Sequence, residues 1–365
     1  MLAEATLKQT PLYDQHVALN AKMVPFGGWE MPLQYEGIIA EYDNTRNGVS
    51  VFDTSHMGEF FIEGDLHATG LDKIVSQPLA DLPLKNCRYG VMLNDHGGVI
   101  DDLIVYRLEK ERWMIVVNGA TTEKDARQFL THLSSKKVFT DASAQTGKLD
   151  IQGPSSRTVL SSLIKGLEKL GYYTFDYFDV LGEQVIVSRT GYTGELGYEI
   201  YFPWKKTPQL WAELLKRGVK PAGLGVRDVL RIEMGYSLYG HELEEDISPL
   251  DAGLGRFIDW EKDFIGKEAL MKEKAHGAAR TIACFVSQTR RSPRAGNTIF
   301  SPDGKKRGVV TSGTFSPSLQ KGIGLGFVAK EHAKVGGKIL CGDEKNTIET
   351  EIVGRPVYKK GSLKA

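Results

Sequence analysis

Cysteine is scarce in this chain. There are 3 in 365 residues, at Cys87, Cys284 and Cys341. They are far apart, odd in number and without CxxC spacing. That excludes a disulfide framework and a thiolate zinc site and fits a reducing compartment. Net charge is missing too: Lys+Arg and Asp+Glu both total 46. A duplex-binding protein carries a basic excess, so no nucleic-acid partner is expected. The cluster Lys359, Lys360 and Lys364 is a candidate local basic patch, with a solvated tail as the favoured reading. No apolar run is long enough to span a bilayer, so no membrane partner is expected. The opening MLAEATLKQTPLYDQH has no apolar signal core and carries Glu4 early, which predicts a cytoplasmic protein. His56, in FDTSHMGEF, has no second His or Cys at ligand spacing. It reads as a structural histidine, and no metal is expected. GLGVRD has the wrong glycine spacing for a dinucleotide loop, and GIGLGF lacks the Lys-Ser/Thr of a phosphate loop. No repeat, low-complexity tract or GxSxG signature is present.

Charged residues make up 25% and hydrophobic residues 41%, as in ordinary globular proteins. The length is enough for two or three domains. Residues 88–119 read as three strands joined by tight turns, with Gly97 and Gly98 supplying the turn conformation. Helices are expected at 66–77, 122–134, 207–217 and 262–274. Thr207 is read as an N-cap with Pro208 at the first helical position. A hairpin is expected over 183–202. After residue 278, short apolar runs alternate with Gly, Pro and Ser turns to the end, which predicts a separate β-barrel-like domain. The fold class is α+β, without regular βαβ alternation.

Two carboxylates interrupt apolar strands. In GGVIDDLIVYR, alternation places Asp102 on a face with Ile100, Ile104 and Tyr106, and Asp101 on a face with Val99, Leu103 and Val105. A carboxylate there is costly unless it is hydrogen-bonded, paired or exposed in a cleft, so one of the two should face a polar site. Placement beside water at the strand start is the competing reading. In SRTGYTGELGYEIYF, Glu199 sits between Tyr198 and Ile200. A strand carboxylate beside an aromatic ring suits a planar, nitrogen-rich ligand such as a pterin or purine. An exposed edge-strand Glu is the alternative. In PAGLGVRDVLRIEMGY, Arg227, Asp228, Arg231 and Glu233 fall at helical spacing, which describes an ion-pair-rich face. Arg227 at the helix start could also hold a ligand carboxylate.

Taken together and in order, TPLYDQHVALNAKMVPFGGWEMPLQY (10–35), FDTSHMGEF (52–60), YGVMLNDHGGVIDDLIVYR (89–107), SRTGYTGELGYEIY (188–201), PAGLGVRDVLRIEMGYSLYGHEL (221–243), SPLDAGLG (248–255) and the closing RPVY (355–358) make the chain resemble the glycine cleavage T-protein family over essentially its whole length. The resemblance implies a three-domain cloverleaf. Two interleaved N-terminal α+β domains would cover 1–277, roughly as 1–53 with 140–155 and 228–277, and 54–139 with 156–227. A C-terminal β-barrel or jelly-roll-like domain would cover 278–365. It also implies an aminomethyltransferase. The co-substrate would be tetrahydrofolate, and the partner the lipoylated H-protein of the glycine cleavage system. Neither metal nor flavin would take part.

Carried onto this chain, the family's key aspartate falls on Asp102. Its pterin-binding glutamate falls on Glu199, and its ligand-binding arginine on Arg227. Tyr89, Tyr106, Asn118, Tyr192 and Tyr358 look like further folate-pocket residues, with Met57 and Arg294 as additional members. The family's lysine ahead of the tyrosine at 89 is missing, so its role is lost here unless Lys85 or Arg88 substitutes. The alternative function is a non-transferring folate-binding protein of the same superfamily. Such proteins carry a KGCYxGQE motif, which is absent here. The folate domain of a flavin-linked amine-oxidising enzyme would follow a GxGxxG-led flavin domain, which a chain opening on TPLYD has no room for.

Overall fold

The computed structural model describes residues 6–343 and 345–364. Residues 1–5, with Glu4, lie outside the described residues. The strands build four sheets. A five-stranded antiparallel sheet runs in the order Cys87–Leu93, Val99–Glu109, Arg112–Val117, Gly58–Glu63 and Phe139–Asp141. The three strands expected over 88–119 are its first three. A six-stranded sheet runs in the order Phe175–Val180, Glu183–Ser188, Gly197–Pro203, Thr146–Gln152, Ser50–Asp53 and Lys220–Pro221. A small sheet joins Lys8–Gln9, Trp29–Gln34 and Lys22–Phe26. Six strands between Arg280 and Val353 close into a barrel. The molecule is thus α+β with a C-terminal barrel.

The sheets interleave along the chain, but not in the grouping drawn above for 156–227. From that stretch Gly197–Pro203 pairs with Thr146–Gln152 and Lys220–Pro221 with Ser50–Asp53, and no strand of it joins the five-stranded sheet. Helix Thr207–Lys216 covers the apolar face of the six-stranded sheet. Leu210, Trp211 and Leu214 pack there with Leu149, Ile151, Tyr198, Ile200 and Phe202. Helix Thr122–His132 covers one face of the other sheet, through Phe129 against Phe60, Leu103 and Ile115.

Local differences have local causes. The helix expected over 66–77 shrinks to Leu71–Ile74. Asp65 accepts the backbone N–H groups of His67 and Ala68 as a turn, Gly70 is left-handed at φ 83°, and Val75 is extended to bridge Met92. Thr207 is the first helical residue rather than the cap, and its hydroxyl donates to Pro203 O at 3.1 Å. The lysine-bearing tail is docked rather than loose. Leu363 N donates to Gly194 O, and Ser362 N to Glu195, while Lys359, Lys360 and Lys364 stay exposed.

One buried cation ties these parts together. Arg46, on helix Ile38–Asn47, donates to Glu195 at 2.6 Å, to Thr193 O at 2.8 Å and to Glu233 at 2.6 Å. Tyr358 lies over its guanidinium at 4.2 Å. All three charged side chains are almost wholly enclosed. Removing one partner of a buried pair leaves an uncompensated charge, which costs about 3–5 kcal/mol. Arg46→Ala is therefore expected to lower unfolding free energy by about that amount in urea titration. A wild-type midpoint would show that the network contributes little.

Candidate functional site

Strand alternation builds two polar faces that look at each other. On Thr146–Gln152, Leu149 and Ile151 point to the core, so Lys148, Asp150 and Gln152 point the other way. Glu199 and Tyr201 of Gly197–Pro203 stand on that same face, with Asp150 directly opposite Glu199. The charges are buried and therefore paired. Lys148 Nζ donates to Glu199 Oε1, and Thr190 Oγ1 donates to Glu199 Oε2. From helix Leu224–Met234, Arg227 reaches across to Asp150 Oδ2 at 2.6 Å. Its guanidinium stacks over Tyr192 at 4.9 Å. Gln152 spans the gap between Asp150 and the Thr190–Thr193 turn. A Cβ on Gly191 or Gly197 would meet its amide at 2.3 or 2.0 Å, which accounts for glycine at both places.

The second wall comes from the five-stranded sheet. Val99–Glu109 carries a bulge: Met92 pairs with Asp101 and Leu93 with Val99, so Ile100 has no partner. The bulge sends Ile100 into the core with Leu103, not onto the face of Asp102 as simple alternation predicts. Beyond it the alternation holds. Asp101 is fully buried, and Asp102 opens on the cavity. Tyr89 OH donates to Asp102 Oδ2 at 3.0 Å, and Asn118 Nδ2 to Oδ1 at 2.8 Å. Each oxygen thus holds one donor and keeps a lone pair free.

Between these walls, helix Leu224–Met234 and the barrel edge lies a cavity of about 1430 Å³. Met57, Tyr89, Asp102, Asn118, Tyr192, Glu199, Arg227 and Arg294 all line it. Arg88 also lines it, held by Pro78 O and Asp81, whereas Lys85 pairs outward with Asp176. Two tyrosines from the sequence reading are not on its wall. Tyr106 points into the seam between the sheets. It is fully buried against Phe175, with its hydroxyl shared with Tyr201 at 2.8 Å. Tyr358 sits on Arg46, and its backbone N–H donates to Glu233 O.

Lys148, Asp150 and His56 were missed as site residues. The pattern K-L-D-I-Q over 148–152 carried a readable signal, since polar and apolar residues alternate there strictly. His56 lines the cavity, and its Nδ1 has no hydrogen-bond partner among the described residues.

Burial drives the electrostatics. It raises Asp102, and the neighbouring Asp101 charge raises it further, to about 7. Burial and Glu199 push Asp150 up to about 6, against the pull of Arg227. Burial opposes the charge on Glu199 too, but Lys148 and Thr190 hold it below the usual carboxylate range. His56 is pushed down to about 4 by burial, with Arg227 and Lys148 adding to it, and stays neutral at pH 7. The cavity therefore offers one carboxyl poised near neutrality, two pinned ion pairs and a neutral imidazole. Among the described residues, no group of His, Cys, Asp and Glu is arranged to hold a metal ion. No described helix is long and apolar enough to cross a membrane.

Known proteins share this architecture. Residues 12–262 match the family described as the GCVT N-terminal domain, and residues 280–359 the glycine cleavage T-protein C-terminal barrel domain. The aminomethyltransferase of Pseudothermotoga lettingae is 43% identical over 98% of this chain and 100% of its own length. That of Caldanaerobacter subterraneus subsp. tengcongensis is 41% identical over 98% of each. The crystal structure of glycine cleavage system aminomethyltransferase T from Bartonella henselae superposes with a TM-score of 0.90 at 31% identity, covering 98% of this chain and 99% of that one. The chain belongs to the glycine cleavage T-protein family of aminomethyltransferases.

Proposed function

We propose that this chain is the tetrahydrofolate-dependent aminomethyltransferase of a glycine cleavage system. The methylene carbon of an aminomethyl thioether, carried on the lipoyl arm of an H-protein, passes to tetrahydrofolate. The carbon–sulfur and carbon–nitrogen bonds break and two bonds to folate nitrogens form. The products are 5,10-methylenetetrahydrofolate, ammonia and the dihydrolipoyl carrier. The observation that carries the reading is Asp102: a cavity-wall carboxyl oriented by two donors, with a free lone pair on each oxygen and a pKa of about 7. The cavity volume adds support. Pockets for one small ligand run to roughly 300–1,000 Å³, and about 1430 Å³ leaves room for a second reactant's arm. Three free, buried cysteines fit a reducing cytoplasm.

In this reading Asp102 accepts a hydrogen bond near the attacking folate nitrogen. It orients that nitrogen and stabilises the positive charge that develops as ammonia leaves. Glu199 accepts N–H groups from the pterin edge with its remaining lone pairs. Lys148 keeps it ionised for that task and fixes its position. Arg227, held by Asp150 and stacked on Tyr192, presents its remaining N–H groups to acceptors on the ligand. Tyr89 and Asn118 hold Asp102, while Met57 and Tyr192 supply apolar and aromatic wall. Arg294, exposed to solvent, also lines the cavity.

The first assay is methylenetetrahydrofolate formation from tetrahydrofolate and aminomethyl-loaded H-protein. Asp102→Asn is expected to lose on the order of 10²–10⁴-fold in turnover with folate affinity held within several-fold. Undiminished turnover would remove Asp102 from the chemistry. Folate binding without product, using a carrier competent with another T-protein, would place the chain in the non-transferring branch.

Because the ionised form of Asp102 does the work, kcat/KM should fall as pH drops through about 7, the value of the free protein. A rate flat from pH 6 to 8 would contradict that assignment. Glu199→Gln keeps the shape but loses the charge. A hydrogen bond to a charged group is worth about 1.5–3 kcal/mol, so folate affinity should weaken by roughly 10- to 100-fold. Unchanged affinity in a titration would take Glu199 out of the ligand contact.

A further inference from the structure

Asp102 is the front member of a row of three acids. Behind it, Asp101 is fully buried and accepts both donors of Asn118. The backbone N–H reaches Oδ2 at 3.0 Å, and Nδ2 reaches Oδ1 at 2.9 Å. The same Nδ2 group donates to Asp102 Oδ1 at 2.8 Å. Asn118 therefore bridges the two carboxyls, and its amide cannot turn over without facing oxygen to oxygen. Behind Asp101 stands Asp125, in the first turn of helix Thr122–His132 and also fully enclosed. Neither oxygen of its ionised carboxylate has a hydrogen-bond donor in place among the described residues: the Thr121 hydroxyl lies near it and near Asp101, but donates to Asn118 O at 3.0 Å. Its carboxyl is within hydrogen-bonding reach of that of Asp101 once one of the two carries a proton.

Two carboxyls in contact and closed to water cannot both be ionised. One added proton turns the repulsion into a hydrogen bond. Where it rests follows from the partners. Asp101 receives two N–H groups, which favour its anion, whereas Asp125 receives none. We propose that Asp125 keeps a proton at neutral pH and donates it to Asp101, and that this pair positions the reaction centre: it grips Asn118 toward Asp102 and keeps one fixed negative charge beside it.

The electrostatics agree. Burial raises Asp101, but the two Asn118 donors and the Asp125 hydrogen bond favour its anion; burial and Asp101 push Asp125 up to about 10, and the Asp101 charge is the second cause, after burial, of the raised Asp102. The other titratable groups facing the row stand at its two ends. Tyr89 and Tyr192 face Asp102. Lys124 faces Asp125, with Tyr239 and Glu245 bonded to it at 2.6 and 2.8 Å. Asp125 and Asp101 are positioning residues, acting through Asn118 and Asp102.

The inference rests on the role proposed for Asp102, but its first test does not. The whole chain, labelled with carboxyl-¹³C aspartate, is examined by infrared spectroscopy at about pH 8.5, where carboxyls of pKa near 6 or 7 are ionised. A protonated aspartate band is expected in the wild type and in Asp102→Asn, and its loss is expected in Asp125→Asn. Absence of the band from the wild type overturns the shared proton, whatever the enzyme's activity.

The second test is the acid limb of kcat/KM against pH. Asp101→Asn removes the fixed charge and should move the limb down by about one unit. Asp125→Ala takes away the donor, letting Asp101 bind the proton itself, and should move the limb the same way. Asp125→Asn restores an N–H donor and should restore the limb. Equal shifts in Asp125→Asn and Asp125→Ala, or no shift in Asp101→Asn, would overturn the positioning role.

Discussion

The site depends on one constraint: a β-strand must show alternate faces to core and cavity, and the cavity face here is charged. Lys148 and Asp150 stand two residues apart on a strand whose intervening residues anchor the apolar core. Neither charge reaches bulk water. Each therefore needs a partner of opposite sign, and the partners come from different elements: Glu199 from the neighbouring strand, and Arg227 from the helix across the cavity. Pairing the strand's charges thus sets where that helix sits. It also sets the turn carrying Thr190 and Tyr192, which closes on Glu199, Gln152 and Arg227.

The same logic runs through the rest of the interior. Arg46 answers two buried glutamates from distant segments, and Tyr358 of the C-terminal tail covers it. Arg231, one turn beyond Arg227, answers Asp228 and Glu242. Buried pairs of this kind are weak as net stabilisers, because desolvation offsets most of the Coulomb gain. Breaking one is nonetheless costly, because a misplaced element would leave a bare buried charge. The acids on the other wall differ. Asp101, Asp102 and Asp125 hold no ion pair among themselves, and burial raises all three, Asp102 to about 7 and Asp125 to about 10, whereas the paired Asp150 rises only to about 6. One wall holds its charges at neutral pH, and the other is poised to exchange a proton.

Much of this was legible in the chain. Asp102 and Glu199 are carboxylates in apolar strands, and both line the cavity. The alternation of Lys148, Asp150 and Gln152 is equally readable. Tyr106 was less tractable: it shares a strand face with Asp102, but a ring four residues farther along falls in the seam where Phe175 and Tyr201 close over it. The bulge at Ile100 has no mark of its own in the sequence, since Val99 and Ile100 are both apolar and suit either face. Asp125 sits in TEKDARQ, which looks like a solvent face until the helix packs down.

The sequence by itself determined family, fold class and the strands that carry the acids, because periodicity, turn glycines and motif order are local properties. Only the tertiary structure decided which charges meet and which acids remain unpaired. It also decided which tyrosines reach the cavity and how far each carboxyl is shifted. Those depend on burial and on partners more than a hundred residues away, such as Arg46 with Glu233, and no window along the chain contains both.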